Sequence, residues 1–268
     1  MAERVAGLMR SFDRHQHARG FSPSTRKRRR WTLGQLAAYL DPGGFDTLDA
    51  VGLEEFLLRW DSPATRHSLL CDVHVFYRWA VRVELLPVDP SVGVDRPKVP
   101  RRSPTPIRPE DVRRLIAVAE GDVRTMILLA AYAGLRVSEI AALCGRDVHL
   151  KDGLFVVRRG KGGKDRTEPI AAELSGVLSG CPAGHLFPGL NGEGVSRRIR
   201  AVLQECGIDA RPHDLRHSFG TQVARRVNGN VVLLARLMGH ESVATAQAYN
   251  AWVPPMGGET TGLYDSMD

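Results

Sequence analysis

The chain has 268 residues, a formal net charge of +7 and a sequence pI near 9.6. That length allows two compact domains with a core each, and the basic balance points to a polyanionic partner. No apolar run has membrane-spanning length and no signal-peptide core precedes the first polar break, so a membrane span and a secreted precursor are excluded and a soluble, cytoplasmic protein is expected.

Residues 4 to 17 carry Val5, Leu8, Met9 and Phe12 at helical spacing, and Gly20 ends the segment. Ser22-Pro23 opens a second helix, basic at one end through Arg26, Lys27, Arg28, Arg29 and Arg30 and apolar along Trp31, Leu33, Leu36 and Leu40. Such a charge run is either a solvated face or a row of phosphate contacts, and in a basic chain with a polyanionic partner we assign it to phosphates. Helical patterns follow at about 49 to 60 and 62 to 83, where Leu69, Val73, Phe76, Trp79 and Ala80 mark a buried side. Residues 1–94 therefore read as a small helical bundle. Residues 95–106 hold four prolines and four basic residues and read as an extended linker, with Lys98, Arg101 and Arg102 lying along phosphates.

The second domain, 107–268, resumes with Pro109 and early acids at a helix start. A strongly apolar helix covers about 123 to 133, Gly134 breaks it, and Arg136 starts the next. Two β-prone runs between 154 and 170 flank the string Gly160-Lys161-Gly-Gly-Lys164 and predict a hairpin with lysine at its tip. The string lacks the spacing of a nucleotide-phosphate loop. Helices are expected near 194 to 205, 214 to 227, 230 to 238 and 242 to 252, the last carrying Tyr249.

Four short strings concentrate the chemistry: Ala-Gly-Leu-Arg136-Val-Ser-Glu139, Pro-His213-Asp-Leu-Arg216-His217, Leu-Met-Gly-His240 and Ala-Thr-Ala-Gln-Ala-Tyr249. Two arginines present planar, permanently charged forks that match phosphate oxygens. Cations placed around a phosphodiester favour the transition state of an in-line attack, in which charge builds on the equatorial oxygens. His213 suits proton transfer near neutral pH. A tyrosine hydroxyl, with a pKa of about 10, needs such help and a positive field to attack phosphorus. His213 and His217 stand four apart, a spacing that can place two metal ligands on one helical face, but no Glu follows His213 and Cys71, Cys144, Cys181 and Cys206 form no Cys-x-x-Cys pair. No metal is assigned, and His217 is read as structural.

Together these strings resemble the tyrosine recombinases, the phage-integrase and Xer-type enzymes that break and rejoin DNA. The resemblance implies a mainly α fold with a small β-hairpin or sheet in the catalytic domain. It implies a two-domain DNA clamp, with a core-binding domain at 1–94 and a catalytic domain at 107–268. By the same resemblance Arg136 and Arg216 bind the scissile phosphate, His240 hydrogen-bonds it, and Lys161, ahead of Lys164, donates a proton to the leaving 5′-oxygen. His213 assists proton transfer, Tyr249 is the nucleophile rather than Tyr264, and Glu139 supports the site. No cofactor is implied. The implied partners are double-stranded DNA core sites and a homotetramer on synapsed DNA, with a monomer or weak oligomer otherwise and a directionality factor as a further candidate. No arm-type DNA-binding domain is expected, and the tail from 251 to 268 is expected to be mobile or to dock on a neighbouring protomer. Phage or mobile-element integration is the leading reading. Xer-type dimer resolution is the alternative within the same chemistry, a type IB topoisomerase or a non-catalytic DNA-binding regulator outside it.

Overall fold

The computed structural model describes residues 2–100, 105–158, 165–227, 230–239, 246–247 and 249. The chain divides into two compact units, Met1–Arg101 and Arg102–Asp268, so the division falls within the proline-rich stretch. Residues 95–100 and 105–108 form neither helix nor strand. Proline's missing N–H and fixed φ account for this.

The first unit consists of helices α1 (Ala2–Ala18), α2 (Pro23–Leu40), α3 (Ala50–Leu58) and α4 (Pro63–Arg82), with 3-10 turns at Phe45–Thr47 and Pro90–Gly93. Local chemistry sets the helix starts. Ser22 accepts the N–H of Thr25 at 3.2 Å ahead of Pro23, Asp49 accepts that of Gly52 at 2.8 Å, and Ser62 caps α4 ahead of Pro63. Each such cap contributes about 1 kcal/mol. Phe12 from α1, Leu33 and Leu36 from α2, Phe56 from α3, and Val73 and Phe76 from α4 close the core between them. Trp31, read as part of the apolar stripe, is half exposed instead.

The basic run on α2 is not a free row of charges. Arg26 and Arg30 both reach Asp13 on α1, at 2.6 and 3.1 Å. Arg28 and Arg29 converge on Asp72 of α4, which is 1% exposed and also accepts from Thr32. Arg29 is itself buried, and its Nη1 donates to Gln16 at 3.0 Å. A carboxylate in this interior must be paired, and the second unit of charge on α2 supplies the pairing. Arg29, assigned to DNA from the charge run, is thus held inside the bundle by Asp72 and Gln16. Arg26, Arg28 and Arg30 each carry a carboxylate partner, whereas exposed Lys27 and Lys98 make no ion pair among the described residues.

The second unit carries α5 (Pro109–Val118), α6 (Gly121–Tyr132), α7 (Val137–Ala142), α8 (Ala172–Leu178), α9 (Gly192–Glu205), α10 (Pro212–Arg226) and α11 (Val231–Leu237). Strands β1 (Val148–His149), β2 (Leu154–Val157) and β3 (Arg166–Pro169) form an antiparallel sheet in that order. The unit is mostly helical with one small sheet, as the sequence predicts; α8 and the short β1 are additions. In the register of the hairpin, Val157 faces Arg166 and Val156 faces Thr167. Its tip, residues 159–164, lies outside the described residues, as does most of the segment expected as a helix over 242–252.

Helix α6 is the centre of this unit. Met126, Ile127, Leu128, Leu129 and Ala130 are all buried, because α8, α9 and α10 pack around it. Gly134 follows with φ +61°, a conformation that costs glycine little. A second apolar cluster, formed by Ala224, Leu234, Ala235, Met238 and Ala246, encloses the ring of Tyr249.

Candidate active site

Arg136 is the residue just before the first turn of α7, in extended backbone with ψ 151°. Its main-chain N–H donates to Oε2 of Glu139 at 2.9 Å, and its Nη1 donates to Oε1 at 2.8 Å. Arg166, the first residue of β3, grips the same carboxylate from the other side, Nη1 to Oε1 at 2.8 Å and Nη2 to Oε2 at 3.0 Å. Its Nε donates to Glu168 at 2.6 Å. Burial works against ionisation of Glu139, but the hydrogen bonds from Arg166 and from the Arg136 backbone prevail and hold its pKa down to about 2. Glu168 is equally buried and shares Arg166 with Glu139, so burial prevails there and raises its pKa to about 7.

Arg216 lies on the buried face of α10 and is 2% exposed. Its two Nη groups donate to the main-chain carbonyls of Gly134 and Met238. The arginine is thereby tied to the loop that leads into Arg136 and to the turn that precedes position 240. Burial and the neighbouring charge of Arg136 lower its pKa to about 10, which leaves it charged at neutral pH.

Tyr249 is 3% exposed, with its hydroxyl 2.8 Å from Nδ1 of His217. Its ring packs over Gly220, where a Cβ would come within 2.6 Å of Cε1. Burial raises the tyrosine pKa, while Arg216 and Arg136 pull it down. The resting hydroxyl is protonated, inside the positive field that would stabilise its anion. His217 has its own pKa lowered to about 4, by burial first and by His213 second, so its ring is neutral at pH 7. His213 and His217 pack edge to face with centroids 4.6 Å apart. Although His213 keeps an exposed edge, partial burial and the charge of Arg216 lower its pKa as well.

The structure brings Arg136, His213, Arg216 and Tyr249 into one neighbourhood of the second unit. Lys161, Lys164, His240, Tyr264, Arg101 and Arg102 lie outside the described residues. Two contacts of this neighbourhood were not foreseen in the sequence. His217, read as structural, meets the Tyr249 hydroxyl; its position one residue beyond Arg216 and one helical turn beyond His213 was a signal. Arg166 carried none, because its partner carboxylate is 27 residues earlier in the chain.

The family model described as phage integrase matches residues 106–253. Over 263 residues the chain is 31% identical to the tyrosine recombinase XerD of Pseudomonas aeruginosa, covering 86% of this chain and 87% of that one. An integrase from mycobacterium phage Brujita aligns with a TM-score of 0.50 and 28% identity, over 90% of this chain and 87% of that one. A lambda integrase tetramer bound to a Holliday junction aligns with a TM-score of 0.72, over 89% of this chain and 77% of that one; at 14% identity it speaks for the fold alone. With the family model matching more than half of the chain and a relative of this identity covering most of it, the chain belongs to the phage integrase family of tyrosine site-specific recombinases.

Proposed function

We propose that Tyr249 is the nucleophile of this recombinase and that the enzyme serves integration and excision of phage or mobile-element DNA. The tyrosine oxygen attacks the scissile phosphorus and forms a 3′-phosphotyrosyl bond while the 5′-oxygen leaves. The 5′-hydroxyl of another strand then attacks the same phosphorus and expels the tyrosine. Arg136 and Arg216 hold the non-bridging oxygens, and Lys161 protonates the departing 5′-oxygen. His240 hydrogen-bonds the phosphate, and His213 moves protons. His217 is the nitrogen base that meets the Tyr249 hydroxyl.

The observation that carries this reading is the hydrogen bond of the Tyr249 hydroxyl to a neutral histidine, in a field to which Arg216 and Arg136 both contribute. A core tyrosine satisfied by packing alone has no need of two arginine charges. Loss of one such donor raises the barrier by roughly 3 to 4 kcal/mol.

Xer-type resolution of chromosome or plasmid dimers is the second reading, favoured by the 31% identity to the Pseudomonas XerD recombinase. In either role the two units would clamp double-stranded DNA at its core site, with Lys27, Lys98, Arg101 and Arg102 on the backbone and the exposed sides of Arg26, Arg28 and Arg30 beside them. A homotetramer on synapsed DNA, a directionality factor and a cytoplasmic location complete the proposal. No helix among the described residues is long and apolar enough to cross a membrane.

The test is to trap the covalent adduct on DNA selected by the full chain from a random-sequence library, and to map it by peptide mass. An adduct on Tyr249 that disappears in Tyr249→Phe, with DNA binding retained, is the expected result. An adduct on Tyr264 overturns the assignment.

A further inference from the structure

We infer that Arg166 is a positioning residue for Arg136, acting through Glu139: it occupies the glutamate so that the Arg136 fork stays available to a phosphate. The inference rests on the proposal that Arg136 binds the scissile phosphate.

Glu139 is 6% exposed and sits within one helical turn of Arg136. A buried carboxylate draws in whatever donors are within reach, and the planar fork nearest in sequence is that of Arg136 itself. A bidentate pair between them would spend the phosphate-binding face of Arg136 on its own neighbour. In the structure this does not happen. Both oxygens of Glu139 are met by the fork of Arg166, and Arg136 gives the carboxylate its Nη1 and its main-chain N–H. No other side-chain hydrogen bond of Arg136 is seen, so its Nε and Nη2 carry no acceptor among the described residues.

Arg166 is not a third phosphate clamp. Nε, Nη1 and Nη2 all donate to carboxylates, and the side chain is 17% exposed. Its path is built into the fold on three sides. Strand β3 carries it, Glu168 two residues on in the same strand fixes Nε, and Gly239 makes the space, since a Cβ there would lie 2.6 Å from Nε. One guanidinium therefore joins strand β3, the start of α7, and the residue before His240.

The charge balance gives the test a readout that simple gluing would not. If Arg166 serves to neutralise Glu139, removing the carboxylate as well must relieve its loss. The probe is a duplex carrying the site selected by the full chain, nicked beside the mapped cut so that the cleaved end diffuses away. Adduct formation gives the rate, and binding of the same duplex gives Kd. Arg166→Met is expected to slow adduct formation about a hundredfold, the scale of a small misplacement of a positioning group, with Kd within about threefold. Arg166→Lys keeps the charge but loses the fork, and is expected to slow it about tenfold. The double variant Arg166→Met/Glu139→Gln is expected to recover at least about tenfold over Arg166→Met, because paired sites are non-additive. Arg166→Met cleaving within about threefold of wild type overturns the inference, as does a double variant no faster than the single. Should Arg166→Met fail to fold, Arg166→Lys and the double variant decide: wild-type speed in Arg166→Lys, or a double variant about a hundredfold slow, overturns it. Arg136→Ala and Tyr249→Phe run beside these. If either of them cleaves normally, the catalytic reading has failed rather than the role of Arg166.

Discussion

The hydroxyl of Tyr249 and Nδ1 of His217 are 2.8 Å apart, although the two residues lie 32 positions apart in the chain. The ring is neutral at pH 7 because burial disfavours its cation, and in the tautomer that leaves Nδ1 without a proton it accepts the hydroxyl's hydrogen bond. His217→Leu is expected to slow formation of the phosphotyrosyl adduct about a hundredfold, the usual contribution of a placed proton acceptor, and to leave DNA affinity unchanged. Single-turnover cleavage with a parallel binding titration checks it. A rate within threefold of wild type would show that the contact only holds the ring.

The same burial makes folding depend on acidity. The folded-state pKa of His217 is about 4, below its ordinary 6.5, so the unfolded chain binds more protons between those values. Stability from this group is present above pH 6.5 and is lost as pH falls toward 4. His213 shifts in the same direction. Urea denaturation at a series of pH values should show a shallower acid loss in His217→Leu than in wild type.

Glu168 has the opposite sign. Its folded-state pKa is raised from 4.5 to about 7, so its contribution is full below 4.5 and lost as pH rises through 7. Glu168→Gln keeps an acceptor for Arg166 without the ionisable proton. The difference in unfolding free energy between variant and wild type should move in favour of the variant from pH 5 to pH 8. A difference that does not change with pH would mean the carboxylate is ionised throughout.

Gly220 tests the packing of Tyr249. A methyl group at this position of α10 meets both the Tyr249 ring and Met238. Gly220→Ala is expected to cost about 1 to 3 kcal/mol, in the manner of overpacking, and to displace the ring. Thermal unfolding should shift downward and adduct formation should fall, with DNA binding preserved.

The basic helix gives a separate pair of outcomes. Arg29→Ala leaves a donor missing at buried Asp72 and Gln16 and is expected to destabilise the chain by about 1 to 3 kcal/mol. Lys27→Ala and Lys98→Ala are expected to leave stability unchanged and to flatten the slope of log affinity against log salt by about 0.9 each. Melting curves and binding titrations across several salt concentrations separate the two kinds of charge. An unaltered slope in both lysine variants would take the DNA path away from them.

These contrasts also explain what could be read in the sequence. Arg136, His213, Arg216 and Tyr249 announce themselves because each lies in a short local string, and the order of those strings is linear information. The partners that tune them are not local. Arg166 reaches Glu139 across 27 positions, and Asp72 takes Arg28 across 44. A charge run shows its charges and hides its counterions, which is why Arg29 was assigned to DNA. Helix α8 was missed for another reason. Over seven residues only Leu174 and Leu178 are buried, too few to establish a period.

Arg216 keeps its place through two carbonyl oxygens, those of Gly134 and Met238. Every residue type offers the same oxygen, so replacing the side chain at 238 leaves the anchor chemically intact. The path of the backbone is what the arginine reads. One residue inserted between 134 and 136, or in the turn after α11, would carry an anchor or Arg136 itself out of register. Drift by substitution and drift by insertion therefore face very different tolerances here, and the lengths of these two loops are the more restricted quantity.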